Sequence, residues 1–395
     1  MKILYISNAC VPKTYNQLFK NAKQKSSEAV QKYHRIMAEG FALDKKNEVT
    51  HVTILPVSSS HSKSIITKKS ETYHGVKYVY CPCVNIRFLK NIVNGLYVLG
   101  YIMKESLFHK NSCIVCDTLS VTGAIAAIFG GRICHTKTVG IVTDLPEFFE
   151  GNSERNLKIS DFIFQHLDSY VLLTEQMNLR LNKKNIPYVV IEGQVDLRER
   201  KSIQTVEQDS GKPSKKICMY AGTIQRQYGL ADLVEGFLDA KLDNWELHLY
   251  GNGEYVEDLE EICRQNENIR HFDSMPNEKI VALEKHADLL VNPRPTHEEY
   301  TKYSFPSKNM EYMVSGTPVL TTKLPGMPEE YKQYVYLIEN ESRQGICKAF
   351  QMVAKRDKTE LETMGSSAKA FVLKKKNNAK QARKIKLMIQ QMLRG

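Results

Sequence analysis

The sequence predicts an α/β protein of two doubly wound, Rossmann-like domains, with ligands held where the carboxyl ends of the strands meet. Three observations predict it. Short β-branched, almost uncharged runs alternate with helix-period stretches, the pattern of parallel sheets covered on both faces. The pattern halts between Leu197 and Lys215 (LRERKSIQTVEQDSGKPSK) and then restarts. At roughly 100–200 residues per domain, a chain of 395 residues has room for two such halves.

In the first half the expected strands are 3–7 (ILYIS), 52–57 (VTILPV), 77–84 (KYVYCPCV), 112–117 (SCIVCD), 138–144 (TVGIVTD), 169–175 (SYVLLTE) and 188–193 (YVVIEG). Helical periodicity covers Glu28–Leu43 and the small-residue run Val121–Phe129. The polar stretch that follows, with Gly211 and Pro213, reads as a linker over 198–215. Strands resume at 216–222 (KICMYAG), 245–251 (WELHLYG), 269–272 (IRHF), 288–294 (DLLVNPR), 318–322 (PVLTT) and 335–339 (VYLIE). Helices are expected from Leu230, Tyr255, Glu278 and Ser307, around 342–356 and 360–375, and near Ala379–Leu393. Two doubly wound halves place ligands at the carboxyl ends of their strands.

Composition narrows the function classes. With 42% apolar and 25% charged residues, the bulk of the chain is neither disordered nor fibrous. Lys2 leads straight into ILYIS, and the longest nearly uncharged stretch, Ile92–Met103, is shorter than the ~20 residues of a spanning helix. Neither leader nor anchor is expected, and the expected location is cytoplasmic. Nine scattered cysteines are no disulfide framework; Cys113 and Cys116 face opposite sides of one strand, so a buried reduced state is expected rather than a metal site. The net charge of +11 is concentrated at the ends: residues 1–35 sum to +6, residues 355–395 to +9, and the middle to −4. Such ends suit an anionic membrane surface or an anionic substrate. They lack the interleaved aromatics of a nucleic-acid reader, so no nucleic acid is expected.

Three turns stand where strands of the second half end: Gly222–Gly229 (GTIQRQYG), Gly251-Asn-Gly253, and Ser304-Phe-Pro-Ser-Lys308. Glycines between strand and helix let backbone N–H groups and a helix dipole face a phosphate. The first turn has neither GxGxxG spacing nor a Walker Lys-Ser/Thr pair, so alone it also reads as a tight strand-to-helix turn.

The segment Met310-Glu-Tyr-Met-Val-Ser-Gly-Thr-Pro-Val319 resembles, position by position, the second part of the signature of family 4 retaining glycosyltransferases, which have the two-domain GT-B fold. The opening strand Met1–Ser7, Glu192–Asp196 before the linker, and the Gly222 turn fit the same resemblance. It implies an acceptor-side domain over 1–197, a nucleotide-sugar domain over 216–375, and a final helix over 376–395 that crosses back to the first domain. It also implies that Glu311, in the first turn of a helix, accepts hydrogen bonds from ribose hydroxyls, two carboxylate oxygens matching a vicinal diol. Gly222, Thr223, Gly251, Gly253, Arg294, Ser304 and Phe305 would complete the nucleotide site. In the first half Asp144, after strand 138–144, would support the sugar being transferred, although Asp there is also an ordinary helix cap. The long basic loop Asn8–Ser27 is left open for acceptor recognition.

The chain departs from the family pattern at three places. Tyr303 stands where the family has its first glutamate, with Glu298 and Glu299 a turn earlier as substitutes. Thr223 and Tyr228 replace the Arg and Lys that commonly neutralise the diphosphate, leaving Arg226, Lys308 and Arg294 as candidate cations. Tyr-Ala-Gly-Thr223, Tyr228-Gly and Ser304-Phe-Pro-Ser-Lys308 are similar to a bacterial capsular and exopolysaccharide-synthesis subgroup. The resemblance thus implies retaining transfer of a hexose from a nucleotide diphosphate sugar, UDP first, to a lipid-linked or oligosaccharide acceptor. It implies no cofactor and no metal, and the basic ends place the enzyme peripherally on the inner membrane face. A nucleotide-sugar epimerase of the same fold, or a non-catalytic partner subunit, are the alternatives; the oligomeric state is not legible.

Overall fold

The computed structural model describes residues 1–20, 27–57, 65–86, 89–108, 112–149, 151–198 and 215–394. The chain divides into two compact units, Met1–Gln194 with Asn377–Gly395, and Val195–Lys376. Most of the expected linker, 199–214, lies outside the described residues.

The first unit runs β1 (Lys2–Ser7), α1 (Pro12–Phe19), α2 (Glu28–Ala42), β2 (Glu48–Thr53), β3 (Ile65–Ile66), β4 (Glu71–Tyr73), β5 (Val76–Tyr80), β6 (Cys83–Val84) and α3 (Leu89–Phe108). It continues through β7 (Ser112–Asp117), α4 (Val121–Ile133), β8 (Thr138–Val142), α5 (Glu154–His166), β9 (Ser169–Leu172), α6 (Glu175–Leu181) and β10 (Tyr188–Val190). Its sheet has the order β10-β9-β8-β7-β1-β2-β5-β4, parallel except for β4 against β5. β1 and β7, neighbours in space, mark the point where the winding reverses. Successive residues of β1 face opposite sides: Ile3 and Tyr5 pack with Met37 and Phe41 of α2, whereas Ile6 meets α4 at Gly123.

The second unit runs β11 (Lys216–Ala221), α7 (Leu230–Asp239), β12 (Trp245–Tyr250), α8 (Val256–Gln265), β13 (Ile269–Phe272), α9 (Asn277–His286) and β14 (Leu289–Asn292). Then follow α10 (Ser307–Ser315), β15 (Val319–Thr322), β16 (Tyr336–Ile338), α11 (Arg343–Ala354) and α12 (Lys358–Lys375). The sheet order β13-β12-β11-β14-β15-β16 is wholly parallel and reverses between β11 and β14. The last helix, α13 (Asn378–Met392), belongs to the first unit and packs on α2, with Ile385 and Ile389 in the core beside Phe41.

Two expected strands move for a physical reason. β2 is Glu48–Thr53 because it pairs residue for residue with β1, from Lys2 opposite Glu48 to Ser7 opposite Thr53. Ile54–Val57 therefore passes the carboxyl edge of the sheet as a loop. The run 77–84 is broken at Pro82, which has no N–H for a ladder, and Cys83–Val84 pairs instead with β3.

Candidate functional site

In the second unit the expected donor residues gather at the switch point between β11 and β14. Lys308 lies in the first turn of α10 and reaches back to the end of β11, where its Nζ donates to the carbonyl of Ala221 and sits 4.6 Å over the Tyr220 ring. Its pKa is lowered to about 8: burial is the main cause, the Glu311 carboxylate opposes it, and the Arg294 charge adds to it. A Cβ at Gly222 would lie 1.4 Å from Lys308 Nζ, so any larger residue there displaces the ammonium. Gly251, after β12, passes equally close: its Cβ would stand 1.8 Å from the Gly222 oxygen. Gly253 belongs to the same packed pair of turns, held by Ile224 N–H to the Asn252 carbonyl at 3.0 Å and Tyr255 N–H to the Ile224 carbonyl at 3.1 Å. Thr223 is exposed between the two turns, and its carbonyl accepts from the Tyr220 hydroxyl at 3.0 Å.

Glu311 is in the second turn of α10, not the first, because the helix begins at Ser307. It is half-buried and three residues after Lys308, which puts carboxylate and ammonium on one helix face. The helix is fixed to the sheet by buried polar contacts. Asn309 accepts from the Asn292 amide at 2.7 Å, and the Tyr312 hydroxyl accepts from the Ala221 N–H at 3.0 Å. Phe305 is buried against Tyr331, and the buried Ser304 hydroxyl has no partner among the described residues.

The three candidate cations separate. Arg294 follows β14 with its guanidinium 4.9 Å from the Tyr228 ring centre and 5.5 Å from that of Tyr300. Arg226 is exposed instead, bonded to Asp258 at 2.6 Å and laid over Tyr255. Among the described residues, Lys308 thus reaches the end of β11, and Arg294 just beyond β14 stacks on Tyr228. Glu299 is exposed in the 3₁₀ turn Glu299–Tyr303, outside this set.

In the first unit Asp144 is half-buried just beyond β8. Its carboxylate, with those of Glu192 and Asp117, adds to burial in pushing the Tyr33 hydroxyl pKa up. The Tyr33 and Thr143 hydroxyls are buried with no hydrogen-bond partner among the described residues. Beside the β1–β7 switch point opens a cavity of about 1040 Å³ lined by Asn8, Leu55, Asn94, Ser120, Pro146 and Arg155, among others. It was not legible in the sequence, where Leu55 belonged to an expected strand and Asn94 to the nearly uncharged stretch Ile92–Met103. Asn94 is 1% exposed, and its side-chain oxygen has no partner among the described residues. No group of three or more His, Cys, Asp or Glu with metal-site geometry occurs among the described residues.

Solved structures share this architecture over their whole length. HepE of Anabaena in complex with UDP aligns over 99% of this chain and 100% of its own at a TM-score of 0.63 and 13% identity. Sucrose-phosphate synthase from Thermosynechococcus elongatus aligns over 100% and 99%, with a TM-score of 0.65 and 14% identity. The lipopolysaccharide outer core galactosyltransferase WaaB aligns over 99% and 100%, with a TM-score of 0.61 and 14% identity. The fold is therefore GT-B. A search of curated proteins by sequence finds no match. Residues 202–371, most of the second unit, match the family model described as Glycosyl transferases group 1.

Proposed function

We propose that the protein transfers a hexose from UDP-sugar, with retention, to a lipid-linked or oligosaccharide acceptor in bacterial cell-surface polysaccharide synthesis. The observation that carries this reading is the pair Lys308 and Glu311 on one face of α10 at the β11–β14 switch point. Lys308 and Arg294 bind the diphosphate, Glu311 the ribose diol, and the Gly222 and Gly251 turns bring backbone close to the nucleotide. Charge-assisted contacts to the departing diphosphate strengthen as charge develops on it, which lowers the barrier. The bond from C1 to the UDP oxygen breaks, and the bond from C1 to the acceptor hydroxyl forms on the same face. The acceptor proton passes to the leaving phosphate oxygen, so no protein base is required. Asp144 supports the positive sugar centre, Ser304 and Phe305 complete the donor pocket, and the cavity with Asn94 receives the acceptor saccharide. Thr223 offers its hydroxyl and backbone to the diphosphate, and no metal or other cofactor takes part. The net positive chain works at the anionic inner face of the membrane.

Incubating the protein with a panel of UDP-sugars and a bacterial lipid extract tests this. UDP release should depend on the extract, and NMR of the product should show the donor's anomeric configuration. Inversion would overturn the retaining reading, and release of no UDP from any donor would overturn the transferase assignment to UDP-sugars.

A further inference from the structure

We propose that the outer face of α3 seats the protein on an anionic bilayer surface, beside the cavity that receives the acceptor. This rests on the proposed lipid-linked acceptor and assigns the membrane contact to one element. Along α3 the exposed apolar residues are Leu89, Ile92, Leu96, Met103, Leu107 and Phe108, the last two 82% and 75% exposed. Spacings of three, four, seven and four residues put the first five on one stripe of a helix about 30 Å long. The opposite face holds Asn94, Val98 and Ile102, buried, with Ile102 packed so closely on α4 that a Cβ at Gly130 would lie 2.9 Å from it. On α4, against which α3 packs, Phe129 and Ile133 are 46% and 56% exposed. A run of exposed large side chains of this extent marks a contact surface rather than ordinary scatter.

The charges around the stripe select the occupant. α3 and α4 carry Lys104 and Arg132, both exposed, Lys90, whose ammonium donates to the Val57 carbonyl, and a single carboxylate, Glu105, which is mostly buried and 3.0 Å from Lys2. A two-fold contact would set this face against itself, Lys104 and Arg132 meeting their own copies with no exposed carboxylate in either helix. An anionic lipid surface is complementary to both the apolar stripe and its basic rim. No helix among the described residues is long and apolar enough to cross a membrane, so α3 lies in the plane of the interface. Lys90, Asn91 and Asn94, in its first two turns, line the cavity described above. An acceptor held in the leaflet by its lipid would present its saccharide there.

The test is co-sedimentation of the full chain with vesicles of phosphatidylcholine alone or mixed with phosphatidylglycerol. The wild type should pellet with the mixed vesicles only, and Leu96→Asp with Leu107→Asp should weaken this by about tenfold or more. Both positions are exposed, so circular dichroism and UDP affinity should be unchanged. Lys380→Glu with Arg383→Glu, on α13, should pellet as the wild type does. Leu107→Trp should show a blue-shifted emission on adding the mixed vesicles. Loss of binding in the α13 variant but not the α3 variant would overturn the assignment of α3 while leaving the membrane reading intact. Transfer to lipid-linked acceptor without any vesicle binding would overturn the surface but not the proposed function. A dimer dissolved by Leu96→Asp, seen by ultracentrifugation, would assign the face to a second copy and overturn the proposal.

Discussion

Replacing Lys308 by glutamine removes one ammonium from the switch point and leaves a polar side chain in its place. That ammonium donates to the Ala221 carbonyl and sits over the Tyr220 ring, and burial is the main cause that brings its pKa to about 8 rather than 10.5. A hydrogen bond from a charged group to the diphosphate contributes about 1.5–3 kcal/mol, so UDP affinity should fall roughly 10- to 150-fold near neutral pH. The pH dependence has a definite sign. Below about 8 the free protein already carries the charge; above it, UDP must draw a proton onto Lys308. Wild-type affinity should therefore decline as pH rises beyond about 8, by up to about tenfold per unit until the pKa of the complex is passed. Folding responds in the opposite sense. The unfolded chain binds more protons at this residue between about 8 and 10.5, so the free protein should gain stability from Lys308 as pH rises through that window. Titration calorimetry with UDP at several pH values, on wild type and Lys308→Gln, reads the affinity terms. A flat wild-type profile, or the same slope in the variant, would refute the reasoning.

Substitutions at three further positions follow from the same geometry. Gly222→Ala places a methyl where Lys308 Nζ now sits, 1.4 Å away, so UDP affinity measured by calorimetry should fall about as far as in Lys308→Gln. Tyr228→Ala removes one face of the Arg294 stack and should lower kcat by roughly 2- to 30-fold, for a cation–π contact of about 0.5–2 kcal/mol, whereas Tyr228→Phe should retain activity. Tyr312→Phe leaves the Ala221 N–H without its buried acceptor and should cost about 1–3 kcal/mol in urea unfolding.

What the sequence made legible was whatever local pattern decides. The β11 strand, its glycine turn and the Ser304–Lys308 segment were readable because strand period, Gly spacing and helix start are short-range signals. Which cation reaches the site was not, because the choice lies in distant partners: Asp258 of α8 takes Arg226, and Tyr228 with Tyr300 takes Arg294. The loop Ile54–Val57 was read as strand because its residues are β-formers, while β2 ends opposite the end of β1. The basic ends were read as suiting an anionic membrane surface. In the fold α13 packs on the α2 side of the first sheet, whereas α3 packs on α4 on the other side. Lys386 is moreover paired with Asp44 at 2.5 Å, and residues 21–26 of the basic loop lie outside the described residues. Charge sums carry no information about which face a lysine takes.

The central claim is that α10 presents Glu311 to the ribose of a bound uridine nucleotide. Its most direct measurement compares UDP with its 2′,3′-dideoxy analogue on wild type and Glu311→Ala by calorimetry. The wild type should prefer UDP by about 2–3 kcal/mol, and Glu311→Ala should bind the two nucleotides alike, with UDP weakened to the level of the analogue. Undiminished UDP affinity in a folded Glu311→Ala protein, or the same preference for UDP in both proteins, would contradict it.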